Sequence, residues 1–135
     1  MKLLRYTIIP VLTAAVWISL SEFARNEFLV KTYWVDHYKA QGLLFPSEPI
    51  NGMVWGLWSL LFAVVIYIVA KKFTLIKTFL LSWLAGFVLM WVVIGNLGVL
   101  PYGLLYFAVP LSLLEAFVAA YIIKKLSEYS SGKNR

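Results

Sequence analysis

Apolar residues fall into four runs, 6–23, 50–70, 75–97 and 100–123, separated by short polar intervals. About 20 residues of helix, rising ~1.5 Å each, cross the ~30 Å hydrocarbon core of a bilayer. Each run therefore predicts a membrane-spanning helix, and only helices or closed barrels satisfy their backbone in lipid. The expected fold is all-α: an integral membrane four-helix bundle of two antiparallel hairpins.

The intervals set the connections. Pro10 is tolerated in the early turns of the first helix. Beyond residue 23 nothing breaks a helix, and Val30, Tyr33, Trp34, His37 and Tyr38 recur at three- and four-residue spacing. Residues 24–41 either extend the first span or form an interfacial helix lying on the membrane. Gly42, Pro46 and Pro49 predict a stop and an irregular outer link, with Ser47 or Asn51 as cap for the second span. Thr74 is placed to cap the third. The turn around 95–101 is short, so spans three and four pair as neighbours. A single transmembrane domain over 1–126 is expected, with a polar tail over 127–135.

Charge orients the bundle. Lys2, Arg5, Lys71, Lys72, Lys77, Lys124, Lys125, Lys133 and Arg135 fall on one side if all four runs cross; Arg25, Lys31 and Lys39 fall on the other. That asymmetry predicts cytoplasmic termini in a cell inner membrane. It also accounts for the net charge of +6 without nucleic acid. The first run resembles a signal peptide, with Ser19-Leu20-Ser21 as a small-x-small site. Thr7, Pro10 and Thr13 dilute it and favour an uncleaved helix.

Composition narrows the chemistry. The chain is 62% hydrophobic and 13% charged, which leaves no room for a soluble domain beside four spans. It has no cysteine, so disulfides and thiolate metal sites within the chain are excluded. His37 is the only histidine and lacks a second soft ligand, so no metal is expected. Neither a phosphate loop nor a nucleophile elbow occurs, and no catalytic residue or cofactor is expected.

Glu115 is the sharpest polar feature. It lies in the fourth run, over ~10 Å from the nearest charged boundary at Lys124. A carboxylate at that depth faces the bundle interior or a partner, and Ser112 shares its face. It is either a proton- or cation-binding group or a packing device. A second candidate is an outer polar cluster of Glu22, Arg25, Asn26, Asn51 and Asn96, predicted at the ends of three spans. Its plain alternative is that helix ends at an interface are polar. Small residues at four-residue spacing, Ala108, Ser112, Ala116 and Ala120, offer one packing stripe, and Gly52 with Gly56 a second.

At Ser21-Glu22-Phe23-Ala24-Arg25-Asn26-Glu27-Phe28 and Gly95-Asn96-Leu97-Gly98-Val99-Leu100-Pro101 the chain resembles a family of small four-span bacterial inner-membrane proteins of unknown function. The resemblance implies the four-span plan and a bacterial setting, and it carries no catalytic residues.

Three function classes stay open. One is an interaction or accessory subunit, acting as a homo-oligomer or with a heteromeric membrane partner. Another is a proton- or ion-coupled transporter or channel using Glu115 and the outer cluster. The third is a lipid- or quinone-acting enzyme, disfavoured by the different depths expected for Glu22, His37 and Glu115. Membrane lipid is a partner in all three.

Overall fold

A computed structural model describes residues 1–132. It is all-helical among the described residues, with five helices in chain order. Helix α1 runs over Leu4–Leu29, α2 over Lys31–Ala40, α3 over Pro49–Ala70 and α4 over Leu75–Asn96. Helix α5 covers Leu105–Gly132 and is entered by a 3₁₀ turn at Tyr102–Leu104. Four of the five are long and apolar enough to cross a membrane; α2 is not.

The first span is longer than the expected 6–23. Its apolar run ends near Phe23, but the backbone continues through a wide π-type turn at Arg25–Leu29, closed by Val30 N–H donating to Arg25 C=O at 3.0 Å. Val30 then leaves helical geometry (φ −120°, ψ 6°), and α2 starts at Lys31 as a separate helix. Residues 24–41 thus divide between the two expected forms: a helical extension to Leu29, then a separate short helix.

Helix ends follow local chemistry. Gly42 and Gly98 adopt positive φ (72° and 74°), which a side chain would oppose. They close α2 and α4 with backbone bonds Leu43 N–H to Tyr38 C=O (2.9 Å) and Val99 N–H to Ile94 C=O (3.1 Å). Helix α3 is capped by Glu48, not by Ser47 or Asn51 itself; Asn51 sits one turn in and accepts from the Glu48 N–H at 3.0 Å, a reciprocal capping box. Pro49 fixes this register by occupying the first helical position. Thr74 holds the cap position of α4, but its side chain makes no capping bond. Helix α5 continues to Gly132, through the first part of the expected 127–135 tail, whose residues 133–135 lie outside the described residues.

Helix α1 packs against both α3 and α5, and α4 closes the ring between those two. Two apolar clusters fill the interior. The larger joins Ile18, Phe62, Ala63, Ile66, Phe87 and Ala120 among others; the smaller gathers Val30, Leu100, Leu104 and Ala108 under Trp34 and Trp91. The expected stripe on α5 is the packing face: Ala108, Ser112, Ala116 and Ala120 are all buried. Gly52 and Gly56 are not packing positions within the chain. Both point outward, and a Cβ on either would meet nothing within 4 Å. The glycine that α3 requires is Gly86 of α4, against which the Phe62 ring lies so closely that a Cβ has no room.

Candidate functional site

The residues with chemistry meet in one layer between the two apolar clusters. Along α1 the order is Ile18 of the larger cluster, then Glu22 and Arg25, then Val30 of the smaller. From the 3₁₀ turn along α5 the order is reversed: Leu104 and Ala108, then Ser112 and Glu115, then Ala119 and Ala120. The two helices run antiparallel, and side chains lean toward the N-terminus of their own helix. Arg25 and Glu115 therefore lean toward each other.

Glu115 is completely buried. Its Oε2 accepts from Ser21 Oγ at 2.8 Å and from Arg25 Nη1 at 3.2 Å. Arg25 turns its other nitrogen, Nη2, to Glu22 Oε1, and its guanidinium lies over the Phe87 ring with 5.3 Å to the centroid. Asn26 Nδ2 donates to Glu22 Oε2 at 2.9 Å and to the Glu22 carbonyl at 2.9 Å. The planar fork of Arg25 is suited to bridge two carboxylates, which a lysine ammonium does less well.

One atom in this layer stands apart. Glu115 Oε1 is buried and has no hydrogen-bond partner. An unpaired buried acceptor is costly, and such atoms in folded proteins call for an explanation. With both carboxylates ionised, Glu22, Arg25 and Glu115 carry a formal charge of −1; one added proton makes the group neutral.

Tryptophans hold the frame around this group. Trp17 Nε1 donates to the Glu115 backbone carbonyl at 3.0 Å, and Trp83 Nε1 donates to Ser112 Oγ at 2.9 Å. Ser112 in turn donates to the Val109 carbonyl at 3.0 Å. Ser112 shares a helix face with Glu115, but its hydroxyl is committed to Trp83 and Val109.

The outer cluster expected from topology does not assemble. Glu22, Arg25 and Asn26 join Glu115 inside the bundle, because α1 carries them below its true end at Leu29. Asn51 lies in the first turn of α3, where its side chain accepts from the Glu48 N–H in the capping box, and Asn96 is exposed at the end of α4. The two expected sites thus become one site with a different membership. Ser21 and Phe87 complete it and were missed by sequence reasoning. Ser21 carried a usable signal: it precedes Arg25 by four residues, one helical turn on the same face.

Helix α2 lies across the loop end of the bundle. His37 Nε2 bonds the Gly98 carbonyl at 2.8 Å, Gln41 Nε2 donates to the same carbonyl at 2.7 Å, and Tyr33 packs on Gly103. A groove of about 530 Å³ lined by Thr32, Asp36, His37 and Tyr102 opens there. A second, of about 620 Å³, opens at the opposite end among four lysines. The residues lining these grooves do not include the triad. Among the described residues, no three His, Cys, Asp or Glu side chains gather to hold a metal.

Compared with family models, with curated proteins and with solved structures, the chain finds no match.

Proposed function

We propose that this is a small proton-binding membrane protein, a proton-coupled carrier or channel component whose working group is Glu115. The observation behind this reading is the unpartnered, fully buried Glu115 Oε1 beside Arg25 and Glu22. Intramembrane ionisable residues are expensive and serve as relays or ion sites by default. A proton suits this site better than a metal ion. Two carboxylates and one hydroxyl fall short of the about six oxygens that hard cations take. In this reading Arg25 keeps the pair of carboxylates in place, Ser21 orients Glu115, and the proton resides between Glu115 and its neighbours. The lysine-rich end faces the cytoplasm by the asymmetry of basic residues. Four helices enclose little space, so a continuous path requires a second copy or a partner chain.

A second reading keeps the same residues in a static role. The triad then locks α1 to α5, and the protein serves as an accessory subunit. The outward-facing Gly52 and Gly56 of α3 favour it, because small residues admit a close helix from another chain.

Infrared difference spectroscopy of the reconstituted protein across pH separates the two. A carrier shows a carboxylic-acid band that titrates and disappears in Glu115→Gln, and vesicles carrying a trapped pH dye lose proton flux in that variant. If the spectrum and flux are indifferent to Glu115→Gln while Glu115→Leu unfolds the bundle, the lock is the function of the triad.

A further inference from the structure

The end of the bundle opposite α2 carries a groove of about 620 Å³ between the α3–α4 turn and α5. Among the described residues that line it, Lys71, Lys72, Lys124 and Lys125 are cations and none is acidic. Two of these cations are held by neutral partners. Lys124 Nζ donates to the Ala70 carbonyl at 2.6 Å and also to the Phe73 carbonyl, closing the C-terminal end of α3. Lys71 Nζ stands 4.5 Å from the centre of the Tyr67 ring. Carbonyls and an aromatic face orient a cation without cancelling its charge. Lys72 and Lys125 are exposed at the rim.

The same groove receives the N-terminus of α4. Thr74 and Leu75 line it, and the Thr74 side chain makes no capping bond to the first N–H groups of that helix. Those groups and the helix dipole favour an anion in the same place as the lysines do. In sequence the next carboxylate is Glu128, four residues beyond Lys124. One such charge leaves four lysines in clear excess. The groove lies where α3 ends and α4 begins, at the boundary of the apolar spans, which is the depth of lipid headgroups.

We propose that this groove binds the phosphate of an anionic phospholipid headgroup. Lys124 and the α4 N-terminus form its fixed floor, and Lys72 and Lys125 close over it. Tyr121 and Phe73 border the apolar side, toward the acyl chains.

The test uses the full chain in neutral detergent, titrated separately with phosphatidylglycerol, phosphatidylcholine and inorganic phosphate, with adducts counted by native mass spectrometry. Phosphatidylglycerol is expected to be retained over phosphatidylcholine. The double variant Lys72→Gln/Lys125→Gln is expected to lower that retention on the order of tenfold, since each lysine near an anionic surface contributes materially. Both side chains are exposed, so folding is preserved, and a near-UV circular dichroism spectrum checks it. Lys2→Gln/Arg5→Gln removes as much charge from the same end outside the groove and is expected to change little. An equal loss in that control means a diffuse field and overturns the site. Inorganic phosphate bound as tightly as the lipid overturns the lipid as its source.

Discussion

Two acid–base pairs lie within ten residues of each other, and they live in different solvents. Glu22 and Arg25 sit three apart, with side chains 5% and 7% exposed. Glu27 and Lys31 sit four apart, bonded at 2.7 Å, with side chains about two-fifths exposed. Spacing along the chain hardly distinguishes them. The surroundings do. The first pair lies between two apolar clusters and is completed by Glu115 from another helix. The second straddles the break at Val30 and is open to its surroundings. A charge in low dielectric interacts strongly with its partner and is punished severely when left alone. A charge at the rim is screened and contributes little either way.

The sharpest way to break this contrast is to remove the cation at the centre. Arg25→Leu leaves two carboxylates facing each other without a counter-charge. Truncating one member of a buried ionic group typically costs about 3–5 kcal/mol. The variant is therefore expected to unfold at markedly lower denaturant, measured by equilibrium unfolding in mixed micelles. Arg25→Lys should recover only part of the loss, because an ammonium cannot fork between Glu22 and Glu115. A change within experimental error for Arg25→Leu would mean that water or lipid headgroups already reach the triad.

The contrast also explains what the sequence can and cannot reveal. The four spans were legible because apolar runs of membrane length have few alternatives. The stops at Gly42 and around Gly98 were legible because positive φ selects glycine. Glu115 was legible as a buried group, since a lone carboxylate in an apolar run has little choice but to face inward. Its partners were not. Glu22 and Arg25 come where hydropathy falls, and falling hydropathy looks the same at a helix end and at a buried polar layer. What separates the two is an antiparallel neighbour with a complementary charge at the same height, which is a tertiary fact. Gly86 was overlooked for a related reason. A single glycine inside an apolar run signals nothing until the ring of Phe62 is placed against it, whereas Gly52 and Gly56 display a familiar spacing and face outward.

Gly86 provides a second perturbation, intermediate in size and free of charge. Gly86→Leu forces the Phe62 ring out of its stack, where it meets Trp58 at 5.0 Å and Phe87 at 5.6 Å between centroids. Overpacking of this kind costs about 1–3 kcal/mol. Phe87 also lies under the Arg25 guanidinium, so the disturbance reaches the triad through a shared ring. Combining Gly86→Leu with Arg25→Leu in a double-mutant cycle measures that link. Coupling of about 0.5 kcal/mol or more is expected for residues joined through one side chain. Strict additivity would detach the aromatic stack from the polar layer.

The smallest effect is expected at the rim, and it tests the premise of the comparison most directly. Lys31→Gln deletes an ion pair with good geometry and a short bond to Glu27. In water, exposed pairs of this spacing contribute about 0.3–0.5 kcal/mol, and salt reduces that further. The same value is expected here if the end of α1 is hydrated, and it should shrink as ionic strength rises. The triad, sealed between apolar layers, should show no comparable salt dependence. A loss at Lys31 approaching that at Arg25, and insensitive to salt, would place Glu27 and Lys31 inside the low-dielectric region. The apolar boundary would then lie beyond Leu29, the exposed face of α2 would be in contact with lipid, and burial within the bundle would no longer be what separates the two pairs.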